Sequence, residues 1–208
     1  KLHPKAGNGM KIVYGTTNAA KIAFMQKQTI NLGIEILSLA DVNAPKIHVE
    51  EHGNSPLENA RIKALAYHKA LQMPVFSADS VLYIDGLDDE HQPGINVRGI
   101  GDYMDDDMMI AHYSSLISNL GGRARARYKN AICLVDEKGK LHEYMGKDIW
   151  SEPFYLVDKP HKLRKKGFPL DSLSMDIDSG KYYLDLENDS KYLDYVGFKT
   201  FFKKSLSL

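Results

Sequence analysis

Apolar and polar positions switch between two periods along this chain, and the switches mark its elements. Lys11-Ile12-Val13-Tyr14 is a short β-favouring run starting at Met10, and the turn Gly15-Thr16-Thr17-Asn18 that follows is rich in helix-capping residues. A helix is predicted from Ala19 to Leu32, closed by Gly33, and then a strand over Ile34-Glu35-Ile36-Leu37. Ser55, Pro56 and Glu58 fall at the N-cap, N1 and N3 positions of a second helix, which should run to about Leu71. After Pro74, Val75-Phe76-Ser77-Ala78 reads as a strand ending at Asp79-Ser80, with Val81-Leu82-Tyr83-Ile84 as its continuation or its partner. Asp88 to Gly101 is a long loop. Asp105-Asp106-Asp107 opens a third helix, in which Met109, Tyr113, Leu116, Ile117 and Leu120 keep helical spacing up to Gly121-Gly122. Tyr128 to Asp136 and Leu141 to Trp150 read as a hairpin turning at Glu137-Lys138-Gly139-Lys140, and Tyr192 to Phe202 as a terminal helix. Strands alternate with helices early and a hairpin follows, so a mixed-sheet α/β fold is expected rather than a purely parallel one.

A length of 208 residues implies one domain, which can be built as two lobes. With 43% hydrophobic and 26% charged residues, the chain can bury a sizeable core, which excludes a disordered or low-complexity reading. Lys plus Arg and Asp plus Glu each number 27, so a basic nucleic-acid footprint is missing and any polyanion must be met locally. No run approaches the ~18 apolar residues of a membrane span, so neither nucleic acid nor membrane is an expected partner. The one cysteine, Cys133, lies in Ala-Ile-Cys-Leu-Val and reads as a buried strand thiol, which fits a reducing cytoplasm. Lys1 to Gly9 is polar and reads as an expression remnant ahead of a native start at Met10, leaving 10–208 as the single domain.

Three places carry candidate chemistry. In Thr16-Thr17-Asn18-Ala19-Ala20-Lys21 a strand delivers a small polar turn to a helix N-terminus, where free backbone N–H groups and a lysine one turn on attract an anion. The same pattern also describes an ordinary capped helix. Next, the acidic turn Val49-Glu50-Glu51-His52-Gly53 precedes the second helix, on which Asn59 and Lys63 share a face four residues apart. Glu58 reads as a cap rather than a ligand. Third, Asp79 ends an apolar strand, and the carboxyl ends of strands are where α/β sheets bind ligands. Glu51 with Asp79 could offer oxygen ligands to Mg²⁺, which usually shares its shell with substrate phosphates. Arg123, Arg125 and Arg127 would project to one face if their strand begins that early.

Taken in order, Thr16-x-Asn18-x-x-Lys21, Val49-Glu50-Glu51-x-Gly53, Glu58-Asn59-Ala60-x-x-Lys63-Ala64, Ala78-Asp79-Ser80 and Pro93-Gly94-Ile95 with Arg98 resemble the noncanonical purine nucleoside triphosphate pyrophosphatases, the inosine triphosphatase family. The resemblance runs from Met10 to about Arg98 and thins through Gly167-Phe168 and the C-terminal helix. It implies a long mixed β-sheet with flanking helices forming two lobes around a nucleotide cleft, commonly as a homodimer. The implied reaction is hydrolysis of a nucleoside triphosphate to monophosphate and pyrophosphate, a house-cleaning of the nucleotide pool. By the same resemblance Thr16, Asn18, Lys21 and Lys63 hold the triphosphate and Glu51 and Asp79 ligate Mg²⁺. Asp79 also serves the attacking water, and Asn59, Ser80, Arg98, Phe168 and Asp171 complete substrate binding.

The chain departs from the family pattern in three places. D-D-S-G reads Ala78-Asp79-Ser80-Val81, G-F-G-Y-D-P reads Gly167-Phe168-Pro169-Leu170-Asp171-Ser172, and the Ser-His-Arg base reader is replaced near Asp194-Tyr195-Val196. A catalytically weak nucleotide-binding or regulatory protein on the same fold is therefore the alternative expectation.

Overall fold

Strand β1 (Met10–Tyr14) runs parallel to β2 (Ile34–Leu37), with Met10 opposite Ile34 and Val13 opposite Leu37. The computed structural model describes residues 9–187 and 196–208. Helix α1 (Ala19–Gln28) connects these strands and stops four residues short of the expected Leu32. There the β-branched Thr29 turns its hydroxyl back onto the Met25 carbonyl at 3.0 Å, and Asn31 (φ 64°) and Gly33 (φ 71°) make the return turn. Helix α2 (Pro56–Leu71) has the predicted bounds, with the Ser55 side chain accepting from the Glu58 N–H at 3.2 Å. Val75–Ile84 is one continuous strand, β3, parallel to β1 with Tyr14 opposite Phe76.

Helix α3 (Asp106–Asn119) is capped by Asp105, as its acidic start suggests. Strand β4 spans Arg123–Val135 and so begins five residues before the expected Tyr128. β5 (Leu141–Tyr144) completes the hairpin but ends well before Trp150. The Tyr144 hydroxyl folds back past Gly146 to donate to Asp148, and Lys147–Ile149 forms a 3-10 turn. Two strands were not anticipated: β6 (Phe154–Val157), antiparallel to β4, and the two-residue β7 (Ser174–Met175), antiparallel to β6. Helix α4 covers Val196–Leu206; the expected start at Tyr192, and with it Asp194 and Tyr195, lies outside the described residues. The seven strands form one mixed sheet in the order β2-β1-β3-β4-β6-β7, with β5 on β4, which is the expected class of fold. No helix among the described residues is long and apolar enough to cross a membrane.

The chain forms two compact units, the first of Lys1–Asp79, Ala131–Asp148 and Tyr195–Leu208, the second of Ser80–Asn130 and Ile149–Asp194. In the first, alternate β3 residues bury on opposite faces. Val75 packs with Val13 and Tyr67 of α2, while Phe76 stacks on Tyr14 at 4.3 Å and meets Phe202 of α4 edge-on at 5.1 Å. Ala60 and Ala64 of α2 pack on Cys133 and Val135 of β4, and that burial pushes the Cys133 thiol up to about 12. In the second, Leu82, Ile84, Ala124, Ala126, Phe154 and Leu156 meet α3 through Met109, Ile110, Tyr113 and Ile117.

Candidate active site

β1 hands the chain to α1 through a turn held by its own hydrogen bonds, with Asn18 as the helix N-cap. Gly15 N–H donates to Phe76 O at 2.8 Å, which fixes the turn to β3, and Ser77 Oγ donates to Gly15 O at 3.2 Å. Asn18 N–H donates to Thr16 Oγ1 at 3.2 Å, and Asn18 Oδ1 accepts from Ala20 and Lys21 N–H at 3.0 and 3.2 Å. Thr16, Asn18 and Lys21 are thereby brought together at a helix N-terminus, where the macrodipole favours negative charge.

The acidic turn is pinned to α2 by the helix's own side chains. Asn59, only 4% exposed, accepts from Gly53 N–H through Oδ1 at 2.8 Å, leaving its Nδ2 as the donor it can offer a ligand. Glu58 accepts from Asn54 N–H at 2.6 Å and is a cap, as expected. Lys63 Nζ meets Glu51 Oε1 at 2.8 Å, so the proposed phosphate cation and metal ligand neutralise each other across the turn.

Asp79 lies on β3 beyond the residues paired with β1. Strand alternation places it on the Val75 face, the one covered by α2 with its Asn59 and Lys63. Burial, with the Asp79 charge as a second cause, raises the Tyr14 hydroxyl far above its usual range and keeps it protonated. β3 continues five residues past Asp79 to Ile84, so Asp79 stands within the strand and not at its end as expected; it follows Phe76, the residue opposite Tyr14 at the end of the parallel β1, by three positions.

Among the described residues no group of three or more His, Cys, Asp or Glu is placed to hold a metal ion. One or two carboxylates, completed by water and phosphate oxygens, is the arrangement Mg²⁺ commonly takes, and Glu51 and Asp79 are the carboxylates that could take part in it.

The remaining candidates fall in the second unit. Ser80 Oγ donates to Asn130 Oδ1 at 2.6 Å, and Asn130 Nδ2 to Ile149 O at 2.7 Å. Arg98 is engaged within the fold: Nη1 donates to Met104 O at 3.2 Å and Nη2 to Asp106 Oδ1 at 3.0 Å. The other Asp106 oxygen accepts from Gly167 N–H at 3.1 Å, so Arg98 and Asp106 anchor the loop carrying Phe168. Lys165 Nζ lies over the Phe168 ring, 5.0 Å from its centroid, and 3.3 Å from Asp171 Oδ2. Burial raises the Asp171 carboxyl above its usual range against the opposing pull of Lys165. Asp106 and Lys165 escaped the sequence reading. Asp106 was visible only as a helix-start charge, and Lys165 only as one of four basic residues around Leu163.

The fold and the site together define a mixed-sheet α/β protein with a capped strand-turn-helix at the end of β1 and an aspartate on the neighbouring parallel strand β3. The Ham1 family model matches residues 12–150, and the chain belongs to that family. It is 35% identical over 138 residues to the dITP/XTP pyrophosphatase of Rhodopseudomonas palustris, spanning 64% of the length of each protein. With the dITP/XTP pyrophosphatase of Thermus thermophilus it shares 29% identity over 189 residues, 88% of this chain and 86% of that one. Among solved structures, the HAM1 protein of Coxiella burnetii superposes with a TM-score of 0.69 at 22% identity, covering 95% of this chain and 98% of that one. The Staphylococcus aureus Ham1 protein does so with a TM-score of 0.64 at 21% identity, covering 95% and 97%.

Proposed function

We propose that the chain is a nucleoside triphosphate pyrophosphatase acting on noncanonical purine nucleotides, yielding nucleoside monophosphate and pyrophosphate. The observation that carries this reading is the capped turn of Thr16, Asn18 and Lys21 on the parallel β1–β3 pair that also bears Asp79. Membership of the Ham1 family and the names of the relatives above support it.

In this reading the Lys21 ammonium and the positive end of the α1 dipole hold phosphate oxygens, on a turn whose shape Thr16 and Asn18 fix by their own hydrogen bonds. Lys63 joins them when a triphosphate draws it from Glu51, and the freed Glu51 carboxylate becomes available to the cation that accompanies the nucleotide. Mg²⁺, held by Glu51 and Asp79, would supply charge neutralisation for the phosphates. Asp79 orients the attacking water toward the α-phosphorus and accepts its proton. The developing negative charge is met by donors already in place, which need no reorganisation at the moment of reaction. The resemblance also suggests a homodimer, which sedimentation would register as twice the chain mass.

Hydrolysis of inosine triphosphate in ¹⁸O-water tests the point of attack. Label in the monophosphate supports it, whereas label in the pyrophosphate or free orthophosphate overturns it.

A further inference from the structure

The second unit carries a feature that the family pattern does not contain. Lys165 stands two residues before Gly167, outside every motif of the resemblance, yet its ammonium touches both Phe168 and Asp171. The contact is open to a ligand, since the Lys165 side chain is 44% exposed and that of Asp171 26%. It also sits on a fixed platform. Gly167 is tied to Asp106, which is tied in turn to Arg98, and Lys165 O accepts from Phe168 N–H at 3.0 Å.

The chemistry of this pair is directional. An ammonium only donates hydrogen bonds and an ionised carboxylate only accepts them. Side by side they present a donor next to an acceptor. The six-substituted edge of an oxopurine offers the complement, an O6 acceptor next to an N1–H donor. Adenine offers the reverse, an amino donor next to an N1 lone pair, so both contacts would be mismatched. An aromatic base laid on Phe168 must contact Lys165, because the ammonium already occupies a position over that ring. Four rotatable stem bonds let the ammonium move from the ring face to the base edge without leaving Asp171.

We propose that Lys165, paired with Asp171, is a specificity-determining residue that selects 6-oxopurine over 6-aminopurine nucleotides. This rests on the function proposed above. The pair reads O6 and N1–H only, so it separates inosine, xanthosine and guanosine nucleotides from adenosine nucleotides and does not rank the first three among themselves.

The test compares the native chain with Lys165→Met, which keeps the length and loses the donors, and Lys165→Arg, which keeps donors. kcat/KM is measured for inosine and adenosine triphosphates, and Kd for inosine and adenosine monophosphates, with melting temperature confirming the fold. In the native chain the inosine nucleotide is favoured in both measurements. Lys165→Met lowers that ratio roughly tenfold or more, chiefly through the inosine nucleotide, because the site's partner for O6 is gone. Lys165→Arg retains most of the ratio. An unchanged ratio in Lys165→Met, or a native chain that does not favour inosine, overturns the proposal even if triphosphates are hydrolysed. If no triphosphate is hydrolysed but the monophosphate ratio depends on Lys165, the reader stands and the proposed hydrolysis falls. If neither monophosphate binds, the reader falls.

Discussion

A methyl group on Gly53 would stand 2.6 Å from Asn59 Oδ1 and 2.7 Å from Glu58 Cβ, closer than side-chain carbons approach such atoms. The acidic turn therefore lies against α2 only because residue 53 has no side chain, and Asn59 closes the contact with one buried hydrogen bond. Gly53→Ala is expected to cost about 1–3 kcal/mol, the usual penalty for overpacking, and to raise KM for the triphosphate by displacing Glu51 and Lys63. A melting curve with a KM measurement checks both halves. Asp79→Asn preserves shape but cannot accept a proton, so kcat is expected to fall by at least ~10², with the melting temperature near that of the native chain. Full activity in that variant would remove Asp79 from the chemistry.

Elements show where local rules were sufficient. α2 was legible to the residue because Ser55, Pro56 and Glu58 set its start within the first turn. The capped start of α1 at Thr16-Thr17-Asn18 was legible for the same reason, its hydrogen bonds spanning two or three residues. β4 was read too short because Arg123-Ala124-Arg125-Ala126 has weak intrinsic strand preference. Only pairing with β6, Arg123 opposite Val157, makes it a strand, burying Ala124 and Ala126 and leaving Arg123 and Arg125 exposed. The two-residue β7 exists only through its partner. The Asp106–Gly167 link joins residues 61 apart, a separation at which no pattern in the sequence speaks.

One long-range link between elements has a pH signature. Arg61 of α2 grips Glu143 of β5 through Nε at 2.5 Å and Nη2 at 2.8 Å, and these bonds hold the Glu143 carboxyl below its usual range. A depressed carboxyl contributes stability that is fully present above its unfolded value and is lost as pH falls through the folded one. Both side chains are partly exposed, so the contribution is on the order of 1 kcal/mol at most. The melting temperature of the native chain should therefore exceed that of Glu143→Gln by a constant amount down to about pH 5, and the gap should close in more acid solution. A gap independent of pH would assign the effect to packing.

For the whole molecule, phosphate binding and base choice rest on different residues. Lys21→Ala and Lys63→Ala are expected to raise KM for every triphosphate by a similar factor, leaving the ratio between bases unchanged, because these lysines belong to the first unit. Steady-state kinetics on inosine and adenosine triphosphates checks this, and a loss confined to one base would contradict the placement. Pyrophosphatase activity is tested most directly by product analysis after incubation of the native chain with purine nucleoside triphosphates and Mg²⁺. The expected products are nucleoside monophosphate and pyrophosphate in equal amounts, with inosine or xanthosine triphosphate among the substrates turned over. Binding without turnover across the whole set, or release of nucleoside diphosphate and orthophosphate, would contradict it.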